Sequence, residues 1–435
     1  MGSATPARRL RVVIVGGGFG GLACAKKLAG APADVVLVDS RDYHLFTPLL
    51  YQVATALLNP ADIAYPFRSV LRRLHNVRFF QATVAQVDLE RRVVTTGRGQ
   101  LLEYDYLVLA TGSRSDYFGN DELRGQTLAM KTLEQAQRLR NHLLACLEHA
   151  AQSDDEVERR RWLTFVIVGG GATVVEYAGA ISEFRKLVMR EYPELSTDLM
   201  RIVVIEGADT LLPAFPQKLG SYAQRTLERL GVEVMSSTLL VSVQPGAARL
   251  SSGETLATET VVWSAGVRAN DPAGVEGIER GRSARLEVDD RLRVRGRSEV
   301  IVVGDLAAVK ADSGDLPMLS APAMQQGRYA AGLILAAIHR TADPPPFKYR
   351  DKGTMAVIGR NHAVASLAGL QLTGFPAWVA WLTVHLYYLV GFRNRASVFL
   401  TWGWDYLRHD HPTRLITFVD ADPVADRLAA TTPSP

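Results

Sequence analysis

Two stretches of unbroken aliphatic or aromatic residues run straight into three glycines. VVIVGGG at residues 12–18 has a near-copy, FVIVGGG, at residues 165–171. An apolar run without polar alternation predicts a strand covered on both faces, as in a parallel sheet. After each glycine turn the pattern changes to that of a helix, expected over Leu22 to Leu28 in the first copy and Val174 to Leu187 in the second. A second apolar strand then ends in an acid in both copies, VVLVD at Asp39 and IVVIE at Glu206. Three more apolar strands end in small residues or a Gly-Asp pair: YDYLVLATGS (104–113), VVWSAGVRAN (261–270) and SEVIVVGDLAAV (298–309).

Strand, glycine turn, helix and acid-tipped strand form the context that a dinucleotide fingerprint requires. Gly16, Gly18 and Gly21 occupy the GxGxxG positions. The first allows the tight turn, the second a close approach to a pyrophosphate, and the third helix packing on the strand. Asp39 is spaced to accept hydrogen bonds from an adenosine ribose. In the second copy Gly169 and Gly171 stand in place, but Val174 replaces the third glycine. A branched side chain there is expected to push the helix away and to weaken binding. Glu206 suits a free ribose 2′-hydroxyl and would repel a 2′-phosphate, which favours NADH over NADPH. Asp305, in Gly304-Asp305, fits a helix N-cap as well as a ligand. The predicted fold class is therefore α/β, with two Rossmann-like dinucleotide-binding domains.

Composition narrows the partners. Lys and Arg total 49 against 45 Asp and Glu, too even a balance for nucleic-acid binding. Only Cys24 and Cys146 occur, so a disulfide framework, a thiolate metal site and a CxxC redox pair are excluded. A reducing, cytosolic environment is expected. Arg8, Arg9 and Arg11 precede the first apolar run, but Gly16 breaks that run and no small-residue cleavage pattern follows. The run reads as a strand.

The order of GxGxxG, acid, ATG, second glycine turn, acid, SAG and GD resembles that of the glutathione-reductase-like flavoproteins. Within them, HLFTPLLYQVATALLNPADIA (44–64), LLPAFP (211–216), DKGTMAVIGRNHAVA (351–365) and GFRNR (391–395) resemble the type II NADH dehydrogenases, single-subunit NADH:quinone oxidoreductases. The resemblance implies that Gly16, Gly18, Gly21, Asp39, Thr111, Gly112, Gly304 and Asp305 hold FAD. It implies that Gly169, Gly171, Glu206 and Gly266 hold NADH. Residues 1–125 and 286–345 are expected to form a split FAD domain, 126–285 the NADH domain, and 346–435 a membrane-docking region. Relatives that reduce disulfides or oxidise sulfide need paired cysteines beside the flavin, and this chain has none.

On the acceptor side the resemblance points to Glu176 as the catalytic residue, although Thr173-x-x-Glu176 equally reads as a capping box. Gln325 and Gln326 are expected to face quinone, with Ala321 where the family carries a further glutamine. The quinone, menaquinone or ubiquinone, stays open, and a homodimer on the cytoplasmic face of the cell membrane is implied. Residues Phe375 to Phe392, FPAWVAWLTVHLYYLVGF, carry no formal charge. As one helix they would measure roughly 27 Å, just enough to cross a bilayer core. Trp378, Trp381, Tyr387 and Tyr388 prefer headgroup depth, and Arg393 and Arg395 follow, so a helix lying on the membrane is expected. Val398 to Leu407 forms a second amphipathic stretch. A buried dimer interface and a spanning helix remain alternatives. So do a soluble flavin oxidoreductase with another acceptor, suggested by Val174 and Ala321, and a non-catalytic FAD-binding protein. Beyond Asp420 the Ala-, Thr- and Pro-rich tail is expected to be disordered.

Overall fold

The computed structural model describes residues 8–188, 190–311, 314–367, 369–408 and 413–417, so the tail beyond Asp420 lies outside the described residues. The chain forms two compact units. The first comprises residues up to Leu45, Ala64–Arg114 and Val267–Asp351; the second comprises Phe46–Ile63, Ser115–Gly266 and Lys352 onward. These borders differ from the expected ones at 125, 285 and 345, and the C-terminal region belongs to the second unit instead of standing apart. The reason is a set of contacts between distant segments. Asn394 donates to the carbonyls of Ala61 and Asp62 at 3.0 and 2.9 Å, and Ser397 donates to the Asp62 carboxylate at 2.7 Å.

In the first unit a six-stranded sheet runs in the order Arg293–Val294, Arg297–Val302, Tyr106–Leu109, Leu10–Val15, Ala33–Asp39, Val77–Gln81. All neighbours are parallel except the short first strand. Val12 and Ile14 are fully buried, as a strand covered on both faces requires. The second unit repeats the plan with five parallel strands, ordered Leu128–Ala129, Thr260–Trp263, Thr164–Val168, Arg201–Ile205, Val232–Met235. In both units the strand that feeds the glycine turn lies between the acid strand and the ATG or SAG strand. Ligands bind at that kind of position in open α/β sheets.

The helix after the second turn, Ala172–Val188, packs against the strand Thr354–Gly359 of a three-stranded antiparallel sheet. Contact is so close that a Cβ on Gly179 would lie 1.7 Å from the Ile358 carbonyl oxygen. Two helices follow that sheet, Phe375–Tyr388 and Phe392–Arg408. The single long helix expected over 375–392 is thus broken: Leu389 is extended and Gly391 takes a left-handed φ of +92°. The first piece has 14 residues, about 21 Å at the helical rise. Among the described residues no helix is long and apolar enough to cross a membrane.

Candidate active site

The first cradle is built by main-chain geometry. Gly16 turns at φ +102°, and a Cβ there would lie 2.2 Å from the Ala110 carbonyl oxygen. A Cβ on Gly21 would lie 1.8 Å from the Gly16 carbonyl, so the helix Phe19–Lys27 sits directly on the turn. Around Gly18 no atom approaches within 4 Å of a built Cβ, which leaves the phosphate-facing side clear. The Asp39 carboxylate accepts the Gly17 and Arg41 N–H groups at 2.6 and 2.9 Å, and so fixes the acid against the turn. The pattern did not single out His44, which supports the turn from below. Its Nδ1 lies 3.0 Å from the Gly17 carbonyl, and burial lowers its pKa to about 4.

On the other side of the strand, Thr111 follows Ala110, with Gly112 left-handed at φ +73°. The Thr111 hydroxyl is buried with no hydrogen-bond partner among the described residues. An orphaned buried hydroxyl is costly, and a bound polar group would relieve it. Asp305 lies inside a single 3-10 turn, Gly304–Leu306, and is not a helix N-cap; its carboxylate accepts the Ser113 hydroxyl at 2.5 Å. The cradle therefore fits a dinucleotide: an unobstructed glycine, a ribose-side acid and an unsatisfied hydroxyl all belong to one unit. Neither thiol can take part. Both cysteines are buried, and burial pushes the Cys24 pKa up to about 12.

The two glutamines expected to face quinone are bound to main chain within the first unit. Gln326 is buried and accepts the Gly304 N–H at 2.6 Å. Gln325 donates to the Arg350 carbonyl at 2.9 Å and accepts the Arg350 N–H at 3.0 Å.

The second cradle repeats the first. Gly169 turns at φ +122°, with a built Cβ 2.7 Å from the Ser264 carbonyl oxygen, and Gly171 is as unobstructed as Gly18. The Glu206 carboxylate accepts the Ala208 N–H at 2.7 Å, and its Oε2 lies 2.5 Å from where a Cβ on Gly170 would be. Gly266 closes the opposite side, under the ring of Phe118. Val174 is fully buried. Its isopropyl group thus lies in the core where the first cradle has Gly21, while the phosphate-facing glycine stays clear. Changing Val174 to Gly removes core volume and places a glycine in a helix. We expect thermal denaturation to show a loss of about 2–4 kcal/mol, and NADH titration to show no tighter binding.

Glu176 is turned away from its own helix start. The helix begins at Ala172, so Thr173 lies inside it, and the capping-box reading gives way to two partners far along the chain. Glu176 Oε1 accepts the Trp381 indole N–H at 3.2 Å and the Val357 N–H at 3.4 Å. Burial raises its pKa to about 8, with both hydrogen bonds pulling the other way. The cavity beside it, wholly within the second unit, is lined by Tyr51, Gln52, Trp378, Arg360 and Trp402 among others. Gln52 accepts the Trp402 indole N–H and donates to the Tyr51 hydroxyl, both at 2.8 Å. His385 stacks on Trp381 at 4.0 Å, and burial lowers its pKa to about 4. None of Gln52, Trp402 and His385 was singled out from sequence as part of a site. No group of metal-ligating side chains occurs among the described residues.

Comparison with known proteins sets this geometry in context. Residues 10–327 match the family model for pyridine nucleotide-disulphide oxidoreductases, and 352–408 match that for the NDH2 C-terminal domain. The chain is 39% identical over 415 residues to the type II NADH:quinone oxidoreductase NdhA of Mycobacterium tuberculosis, covering 92% of this chain and 87% of that protein. It is 28% identical over 380 residues to the type II NADH:quinone oxidoreductase of Staphylococcus haemolyticus, covering 85% and 92%. In fold it is similar to the NDH2 of Plasmodium falciparum in complex with NADH, at a TM-score of 0.87 and 20% identity over 94% of this chain and 100% of that one.

Proposed function

Because the chain belongs to the pyridine nucleotide-disulphide oxidoreductases and, within them, to the type II NADH:quinone oxidoreductases, we propose that its two cradles hold FAD and NADH and that Glu176 supplies the proton for quinone reduction. The protein is an FAD-dependent NADH:quinone oxidoreductase that pumps no protons. FAD, when bound, accepts the hydride of NADH and returns two electrons to the quinone. The observation that carries the reading is the pair of equivalent glycine turns, each between an acid strand and an ATG or SAG strand, in a chain whose two thiols are buried.

In the first unit Gly18 admits the FAD pyrophosphate, Asp39 receives the adenosine ribose, and Thr111, Gly112 and Asp305 meet the remainder. Gln326 acts by holding the Gly304 turn in place, and Gln325 by clasping Arg350. In the second unit Gly169 and Gly171 admit the NADH pyrophosphate, and Glu206 meets a ribose free of 2′-phosphate. Reduction of a quinone by NADH takes up one proton from solution. Both donors to Glu176 reach Oε1, so the proton it carries near neutrality resides on Oε2, available to an acceptor oxygen. The cavity beside Glu176, with its Trp and Tyr rings, suits a planar quinone head.

The C-terminal helices favour peripheral attachment to a membrane, and the face proposed is the cytoplasmic one. Phe375, Tyr387, Phe392, Leu400, Trp404 and Leu407 are all exposed. Aromatic rings among aliphatic side chains, with Arg393 and Arg395 beside them, suit an anionic lipid interface.

The anaerobic half-reactions test the whole reading. Purified yellow protein mixed with NADH is expected to bleach, and the colour to return when a quinone is added. Bleaching without reoxidation would point to another acceptor, and no bleaching to a non-catalytic flavoprotein.

A further inference from the structure

Phe118 is an exposed aromatic residue (69%) held by a turn that costs conformational energy. Its backbone is left-handed at φ +53°, and Gly119 follows at φ +83°. An aromatic residue adopts that region only when its surroundings impose it. Three polar contacts do so here. The Phe118 N–H donates to the Asp116 carboxylate at 2.9 Å, the Asp116 N–H donates to the Gly266 carbonyl at 3.0 Å, and the Trp263 indole N–H donates to the Asp116 carbonyl at 2.8 Å. Trp263 is held in turn by Tyr117, stacked at 5.2 Å. The result is a ring laid over Gly266 so closely that a Cβ there would lie 2.6 Å from Phe118 Cζ.

Burial of the ring does not explain this arrangement, since most of the ring faces solvent. Its location does. Gly266 lies three residues beyond the strand Thr260–Trp263, which pairs with the Thr164–Val168 strand on the side opposite the Glu206 strand. A dinucleotide with its adenosine ribose at Glu206 and its pyrophosphate at Gly171 extends its other half toward Gly266. We propose that Phe118 is a binding residue for the nicotinamide half of NADH, a fixed aromatic wall against which the nicotinamide ribose and ring pack. The proposal rests on the assignment of the second cradle to NADH.

The test uses holoenzyme and two ligands, NADH and AMP, the latter filling only the adenosine end. Phe118→Ala is expected to weaken NADH binding about five- to tenfold, the range of one lost aromatic contact. AMP inhibition should stay unchanged, and Phe118→Tyr should restore wild-type affinity. KM for NADH should rise with kcat at saturation little altered. Equal NADH affinity in wild type and Phe118→Ala overturns the proposal, and so does equal loss of AMP and NADH, which would mark a collapsed turn. A wild-type protein that binds neither nucleotide refutes the cradle assignment itself.

Discussion

Replacing Glu176 with Gln is expected to slow quinone turnover on the order of 100-fold, the scale of a lost general acid, while leaving the NADH-driven bleaching step within about twofold. The substitution keeps the hydrogen-bonding shape. A Gln side-chain oxygen can still accept from the Trp381 indole and the Val357 N–H, so the helix contacts survive. What disappears is the exchangeable proton. Stopped-flow measurement of the two half-reactions separates the effects, and wild-type reoxidation in the variant would remove Glu176 from the chemistry. The pH profile gives a second reading. Wild-type quinone turnover should fall as pH rises through about 8, where the carboxyl ionises, and the Gln variant should lose that limb. The neighbours do not supply it. His385 has its pKa lowered by burial to about 4, and Tyr51 is pushed well above its usual value by burial and by the charge of Glu176. The Glu183 carboxylate accepts the Arg360 N–H, and Arg360 pairs with Asp405 at 3.2 Å.

The same shift sets the direction of a stability change. The folded-state pKa of Glu176 lies above its unfolded value, so the folded protein binds the extra proton. Its contribution is fully present below the unfolded pKa and is lost as pH rises through the folded one. The Glu176 contribution to stability, read as the difference between wild type and the Gln variant, should therefore decline between about pH 4.5 and 8, by a few kcal/mol at most. Buried His44 and His385, whose folded pKa values are lowered to about 4, act in the opposite direction in both proteins. The Gln variant should match wild type in acid and exceed it in alkali.

What could be seen in the sequence divides by range. Gly16 and Gly169 announce themselves because a left-handed φ and a carbonyl at Cβ distance tolerate no side chain, and that demand is written into a handful of neighbouring residues. Asp39 and Glu206 are spaced by the length of one helix and one strand. Partners brought together by folding leave no such trace. The Trp381 donor to Glu176 lies 205 positions away, and the Asn394 amide reaches the carbonyls of Ala61 and Asp62 across more than 330. Those contacts moved residues 46–63 into the second unit, against the expected boundary. They also replaced a capping reading of Glu176 with a buried acid. Gln325 and Gln326 read as site-facing because a pattern shows residue type without showing what a side chain holds. Gly391 was visible as a glycine, yet only the backbone shows that it lies in the break between two helices.

Leu400→Glu combined with Leu407→Glu is expected to abolish binding to anionic vesicles. Along Phe392–Arg408 the exposed apolar residues Phe392, Phe399, Leu400, Trp404 and Leu407 recur at the helical period, while the buried Asn394 and Val398 lie on the opposite face. The helix thus turns its apolar stripe outward and anchors itself to the unit through the other side. Inserting a leucine side chain into a lipid interface contributes about 1.5–3 kcal/mol. Losing two therefore weakens partitioning at least 100-fold, and charge repulsion from anionic headgroups adds to the loss. Neither residue lines the cavity beside Glu176, so turnover with a short-chain, water-soluble quinone should hold within about twofold. With a long-chain quinone dissolved in the vesicles, turnover should collapse, because enzyme and acceptor then occupy different phases. Co-sedimentation measures the binding, and sedimentation velocity in buffer identifies the alternative occupant. Wild-type protein that ignores vesicles but dimerises, paired with a variant that stays monomeric, would assign this stripe to a second copy of the chain instead of to lipid.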